Sequence, residues 1–113
     1  QKAVDGMMRN RESMNKGRAQ NIDEPCNTVG AHLAKVSLNS TDPVLMVDNK
    51  YRRFTPREVA RIQSFPETFK LIESEHAQYK ALGNAIPPVM FWYIMRSVKN
   101  SLNSEKKYES ITV

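Results

Sequence analysis

Few residues in this chain are of types that perform covalent chemistry, and their neighbours decide what most of them are. Cys26 is the one cysteine. A thiolate nucleophile needs an electropositive, partly exposed setting and usually follows a buried strand. Cys26 instead follows Asp23-Glu24-Pro25, where two acids raise a thiol pKa, and no apolar strand precedes it. It reads as an ordinary small side chain. His32 and His76 lie far apart, with no carboxylate or cysteine at ligand spacing, so a metal site is not expected. Gly83, in Ala81-Leu82-Gly83-Asn84-Ala85-Ile86, belongs to neither a dinucleotide fingerprint nor a phosphate loop, and by itself reads as a helix cap. What remains is arginine. Arg52, Arg53, Arg57 and Arg61 crowd together, opposed only by Glu58. The planar guanidinium donates two parallel hydrogen bonds, a match for phosphate, although a solvated helix face has the same composition.

The elements that must carry these residues are bounded by size. The chain has 113 residues and a mass of 13.0 kDa, with 40% hydrophobic and 26% charged residues. That composition excludes simple disorder, collagen-like repeats and low-complexity architecture. A free-standing domain of this size hides only roughly two-thirds of its unfolded surface. One cysteine excludes an internal disulfide framework and a Cys-based zinc site. No apolar run approaches the ~18 residues of a membrane span, and no signal-peptide core is visible. An intracellular protein without membrane contact is expected. The first residue is Gln1 and not Met, which suggests a processed product or a fragment. The formal charge is +5, with a pI near 9.5. Residues 1–50 are nearly balanced and residues 51–113 carry most of the excess. Such a balance permits nucleic-acid binding without demonstrating it.

Along the chain, residues 1–24 are polar and aperiodic, as in loops. From Cys26 to Val47, short β-prone runs (Thr28, Val29, Leu33, Val36, Leu38, then Val44–Val47) are broken by Gly30, residues 39–43 and Asp48-Asn49, which predicts strands joined by turns. Helical signals begin at Thr55-Pro56-Arg57-Glu58: a hydroxyl at the N-cap, proline at the first helical position and glutamate at the third, a capping box. Ser64-Phe65-Pro66 ends that helix, because a residue before proline is pushed from the α region. A second helix is expected after Ser74, ending at Gly83-Asn84 as a left-handed pair. A third should start near Pro87-Pro88, with Phe91, Met95, Val98 and Leu102 at helical spacing beside Trp92 and Ile94. Residues 103–113 form a polar tail.

Two segments together carry more than their parts. Residues 51–69 read YRRFTPREVARIQSFPETF, and residues 79–88 read YKALGNAIPP. The first closely resembles motif IX of the DNA (cytosine-5) methyltransferases and the second their motif X, in the same order and at a fitting separation. Residues 18–29, RAQNIDEPCNTV, resemble more weakly the Arg…Glu-Pro…Thr-Val stretch of the target-recognition region in bacterial members. The resemblance covers most of residues 18–102. The family's glycine-rich cofactor motif, Pro-Cys nucleophile, Glu-Asn-Val and Gln-x-Arg-x-Arg motifs precede this region and do not occur here. Met8-Arg9-Asn10-Arg11-Glu12 mimics the last only superficially. Pro25-Cys26 falls at a variable position of the recognition region, which agrees with an unreactive Cys26. The chain is thus identified as the C-terminal part of such an enzyme: an α+β fragment, short strands of a recognition region followed by about three helices that complete an α/β methyltransferase.

The resemblance implies a division of labour. Family members flip the target cytosine out of the duplex; a cysteine adds to C6, C5 receives the methyl group of S-adenosylmethionine, and a base removes the C5 proton. That chemistry lies in a catalytic portion, covalently linked or a separate subunit. Residues 1–50 would be part of the region that reads double-stranded DNA, with Arg9, Arg11, Arg18, Lys35 and, just beyond, Arg53 as expected contacts to phosphate or guanine. Residues 51–73, with Thr55, Arg57, Glu58 and Arg61 as structural residues, would brace it, and an Arg61–Glu58 pair at i,i+3 is expected. Whether those arginines are clamps or DNA ligands stays open. Residues 74–102 would return to the catalytic domain, bringing Gly83, Asn84 and Ala85 to the methionine end of the cofactor. Many relatives carry Ser where this chain has Ala85, so a hydroxyl contact would be lacking. The last helix would pack on the catalytic domain and be exposed without it. A bacterial restriction–modification enzyme in the cytoplasm is the implied context. A subunit of a split enzyme, a DNA-binding module without activity, and an unrelated basic helical protein are the competing readings; the last predicts neither a strand-bearing first half nor a capped helix at Thr55.

Overall fold

A computed structural model describes residue 2 and residues 19–35, 42–72 and 74–111. Among these residues the chain is α+β: an antiparallel hairpin of β1 (Val44–Val47) and β2 (Lys50–Arg53), then helices α1 (Pro56–Ile62), α2 (Glu75–Asn84) and α3 (Pro88–Ile111). The hairpin register pairs Val44 with Arg53 and Val47 with Lys50. Its two-residue turn sits at Asp48 and Asn49, both at positive φ (50° and 59°), the left-handed pair that matches the twist of the flanking strands. Ala19 makes a parallel bridge to Val44, and the Gln20 amide donates to the Val44 carbonyl at 2.8 Å.

The expected strands between Cys26 and Leu38 do not form over the described part. Residues 26–30 are irregular and residues 31–35 are a turn and bend, while 36–38 lie outside the described residues. The β-prone composition does not produce strand here, although Val29 and Leu33 are buried. Val29 and Leu33 both enter the core from this turn, four residues apart, while Gly30 donates its amide to Asp42 Oδ1 at 3.2 Å. The core also contains Phe54, Val59, Ala60, Tyr79 and Leu82. It therefore lies between the turn, the start of α1 and the inner face of α2.

Helix α1 begins where its capping box dictates. Thr55 Oγ1 accepts from the Glu58 amide at 3.3 Å, and Glu58 Oε2 accepts from the Thr55 amide at 2.8 Å. Pro56 follows at the first helical position, where a missing N–H costs nothing. The helix stops at Ile62, and Ser64 takes φ of +66°. Helix α2 starts after Ser74, as expected, and Ser74 caps it, its Oγ accepting from Ala77 N.

Its other end differs from expectation. Neither Gly83 nor Asn84 is left-handed; both are helical, and Ala85 (φ −72°) leaves in extended form. Gly83 is required for another reason: a Cβ there would collide with the backbone of Gly30 and Ala31. A helix and a loop distant in sequence touch at this glycine. The third helix begins at Pro88 as expected, but continues through the polar stretch to Ile111.

Two outcomes follow for stability. Tyr79, 2% exposed, donates its hydroxyl hydrogen bond to the Phe54 carbonyl, so Tyr79→Phe strands a buried acceptor and should cost about 1–3 kcal/mol in chemical denaturation. Glu58 is held well below its ordinary value of 4.5, at about 2, chiefly by the Arg52 guanidinium and also by the Thr55 amide, against the effect of burial. A depressed carboxylate contributes stability that is complete above its unfolded pKa and lost as pH falls through the folded one. Glu58→Gln should therefore be less stable than the parent at pH 7, and the gap should close between about pH 4.5 and pH 2. A gap independent of pH would show that the ion pair is not its source.

Candidate functional site

The arginine cluster is an internal framework. Arg52 makes a two-pronged contact with Glu58 (2.8 Å at each oxygen) and reaches the Arg53 carbonyl at 3.0 Å. Arg61 pairs in the same fashion with Glu67, at 2.6 and 3.1 Å. The expected Arg61–Glu58 pair is not made. The capping box turns Glu58 back toward the start of α1, where strand β2 delivers Arg52, while Arg61 faces the following loop and finds Glu67. Arg57 donates to the carbonyls of Glu67 (3.4 Å) and Phe69 (2.8 Å). In that loop the Phe65 and Phe69 rings meet at a tilt of 43°, with centroids 4.7 Å apart. One short helix thus grips β2 on one side and the 65–70 loop on the other.

Of the basic residues expected at DNA, Arg9, Arg11 and Arg18 lie outside the described residues. Lys35 is exposed at the end of the core-forming turn. Arg53 is half-buried, with one guanidinium nitrogen on the Ala34 carbonyl (2.6 Å), another on Glu75 (3.3 Å), and its centre 5.6 Å from the middle of the Tyr79 ring. Arg53 therefore ties the segment preceding Lys35 to helix α2.

Gly83, Asn84 and Ala85 occur together at the junction of α2 and α3. Gly83 packs inward on Gly30–Ala31, whereas Asn84 is exposed and its carboxamide meets no hydrogen-bond partner among the described residues. Ala85 borders an apolar groove of about 410 Å³ walled by Phe65, Phe69, Leu71, Ile72 and Leu82. Two more residues are bound here: Ser64, which the sequence offered only as part of the stop of α1, and Gln63, which it did not single out. Gln63 Nε2 donates to the Leu82 carbonyl at 2.7 Å, and Ser64 Oγ accepts from the Val89 amide at 3.1 Å. Their long-range partners leave no trace in local spacing.

Helix α3 has no buried residue. Val89, Met90, Phe91, Trp92, Tyr93, Ile94 and Met95 follow one another and all are exposed, Trp92 by 55%. Seven successive apolar residues cover every side of a helix, the pattern of a buried one. Beyond them Val98 and Leu102 continue one stripe, and Arg96 lies 5.3 Å over the Trp92 ring. Among the described residues, no helix is long and apolar enough to cross a membrane. Burial pushes the Cys26 thiol above its ordinary value, away from the thiolate form. Its alkylation by iodoacetamide at pH 7 should be slower than that of an unstructured cysteine peptide; faster reaction would mark an activated thiol.

Comparison with known proteins assigns the sequence to a family. The family model for C-5 cytosine-specific DNA methylases matches residues 2–100. The chain is 38% identical over 84 residues to Type II methyltransferase M.AplI of Arthrospira platensis, a match covering 74% of this chain and 24% of that protein. It is 41% identical over 76 residues to Type II methyltransferase M.Bpa9945I of Bacillus paralicheniformis, covering 67% and 16%. It is 32% identical over 107 residues to Type II methyltransferase M.FnuDI of Fusobacterium nucleatum, covering 83% and 31%. The chain spans less than a third of the length of each of these relatives. No solved structure gives a significant match. By these matches the chain belongs to the C-5 cytosine-specific DNA methylases, as a partial, C-terminal region of one.

Proposed function

We propose that this chain is the bracing and part of the reading portion of a DNA cytosine-5 methyltransferase, which moves the methyl group of S-adenosylmethionine to C5 of cytosine within a specific duplex sequence. The nucleophile and most of the cofactor site belong to a catalytic portion that α3 docks against. The observation that carries this reading is the run Val89–Met95, exposed on every side of its helix and separated from the Gly83-Asn84-Ala85 junction only by Ile86, Pro87 and Pro88. Burying such a side chain contributes about 1.5–3 kcal/mol, so a partner that encloses the run gains strongly from doing so.

The junction fits one edge of S-adenosylmethionine. Asn84 offers an exposed carboxamide that can both donate and accept, and Ala85 offers a small surface beside an apolar wall. The cofactor supplies an electrophilic methyl group when bound. This chain's residues orient its methionine end and do not touch the reacting carbon. On the DNA side, Lys35 and the upstream Arg9, Arg11 and Arg18 would meet phosphate or guanine. Arg53 serves the same surface by anchoring Ala34 to α2. The target cytosine must leave the stack before C5 and C6 can react, so the reading surface and the cofactor edge have to be held in fixed relation. Helix α1 supplies that brace.

The test is methyl transfer from radiolabelled cofactor to mixed-sequence DNA, with this chain alone and with a family N-terminal portion bearing the Pro-Cys and glycine-rich motifs. The chain alone should be inactive and the pair active. DNA binding by the chain with no incorporation by the pair would make it a binding module instead. Such binding should weaken with salt with a log–log slope of about 0.9 per phosphate neutralised.

A further inference from the structure

The 83–88 connection is held at both ends by two adjacent residues. Leu82 is near the end of α2, and its carbonyl accepts both from the Ala85 amide at 3.3 Å and from the Gln63 carboxamide at 2.7 Å, so the side chain adds a second tie where helix-end carbonyls lack i+4 partners. Val89 is near the start of α3, where amides lack helical partners, and Ser64 Oγ accepts from its nitrogen at 3.1 Å. The chain at that point reads Pro87-Pro88, so neither residue can offer the side-chain oxygen that ordinarily caps a helix. Ser64, 25 residues earlier, supplies it. It does so at φ of +66°, a conformation that glycine adopts freely and serine does not. Glycine would fit the backbone better there, but it would leave the Val89 amide without this oxygen.

We infer that Gln63 and Ser64 are positioning residues for the cofactor: they fix the two flanks of the Gly83-Asn84-Ala85 junction to the end of the bracing helix, and so set the shape of the cofactor edge from the DNA-reading side. This rests on the reading above, in which that junction meets S-adenosylmethionine. Helix α1 is itself locked to β2 through Arg52–Glu58 and Thr55, so the tie runs from the hairpin through α1 to the junction.

The variants are Gln63→Met, which keeps length and removes the donor, and Ser64→Gly, which removes the hydroxyl while relieving the backbone. In the chain alone, amide hydrogen exchange at Val89 in Ser64→Gly, and across residues 83–85 in both, should quicken about fivefold or more, as expected for one lost hydrogen bond. In the enzyme assembled with the catalytic portion, KM for S-adenosylmethionine should rise about five- to tenfold in each. KM for DNA, and kcat at saturating cofactor, should stay within about twofold. Unchanged cofactor KM in an active assembly overturns this inference alone, as does a joint rise of both constants, which would indicate general loosening. A parent assembly that neither binds cofactor nor methylates overturns the functional reading and this inference together. Ser64→Ala, which keeps the strained backbone and loses the oxygen, should match Ser64→Gly in cofactor KM; a normal value in Ser64→Ala would remove the hydroxyl from the account.

Discussion

Water tolerates a helix only if one side of it is polar, and the first two turns of α3 have no such side. From Val89 to Met95 each residue is apolar or aromatic and each is exposed. The core that the described residues do form is small: a turn carrying Val29 and Leu33, the start of α1, and the inner face of α2. It does not extend to α3, which meets the rest of the described chain at its first residues, through Ser64. The sequence therefore specifies a surface that requires cover, which the proposed catalytic portion would supply.

Against that constraint, the short helix α1 acts as the joint of the molecule. Its first turn is closed by Thr55 and Glu58 and bound to β2 by the Arg52 fork. Its outer side holds the 65–70 loop through Arg57 and Arg61, and its end reaches α2 through Gln63 and α3 through Ser64. Seven residues of helix cannot be stable by their own hydrogen bonds. Capping, ion pairs and the burial of Val59 and Ala60 compensate. Arginine suits this use because its rigid planar fork holds a carboxylate or two carbonyls in a fixed geometry, whereas lysine is a point charge on a flexible stem. A basic cluster whose composition suits either phosphate or a solvated helix face is thus largely occupied within the chain.

Much of this was legible locally. The capping box at Thr55, the cap at Ser74, the double proline before α3 and the Asp48-Asn49 turn each announce themselves within a few residues, because the physics is local: an oxygen for an orphan amide, a fixed φ, a tolerated left-handed pair. The misreadings have a common source in contacts between distant segments. Thr28, Val29 and Leu33 have strand composition, yet Gly30 and the need to place Val29 and Leu33 on one core turn them into a bend. Gly83 resembled a left-handed cap, but its hydrogen side chain is required by the backbone of Gly30–Ala31. Helical spacing offered Glu58 to Arg61, while the carboxylate was already engaged by its own cap and by a strand residue preceding the helix. The Gly83-Asn84-Ala85 site was visible only through family resemblance, since nothing in its local chemistry names a ligand.

Trp92 is the one tryptophan and sits in the uncovered run, so its fluorescence reports the central claim directly. In the chain alone its emission should lie near that of a solvated indole and be quenched readily by iodide or acrylamide. Adding a catalytic portion in which every tryptophan is replaced by phenylalanine should shift the emission to the blue and shield it from quencher, with saturation at one equivalent. Emission already blue and shielded in the monomeric chain, or unchanged by a partner that restores methyl transfer, would contradict the account.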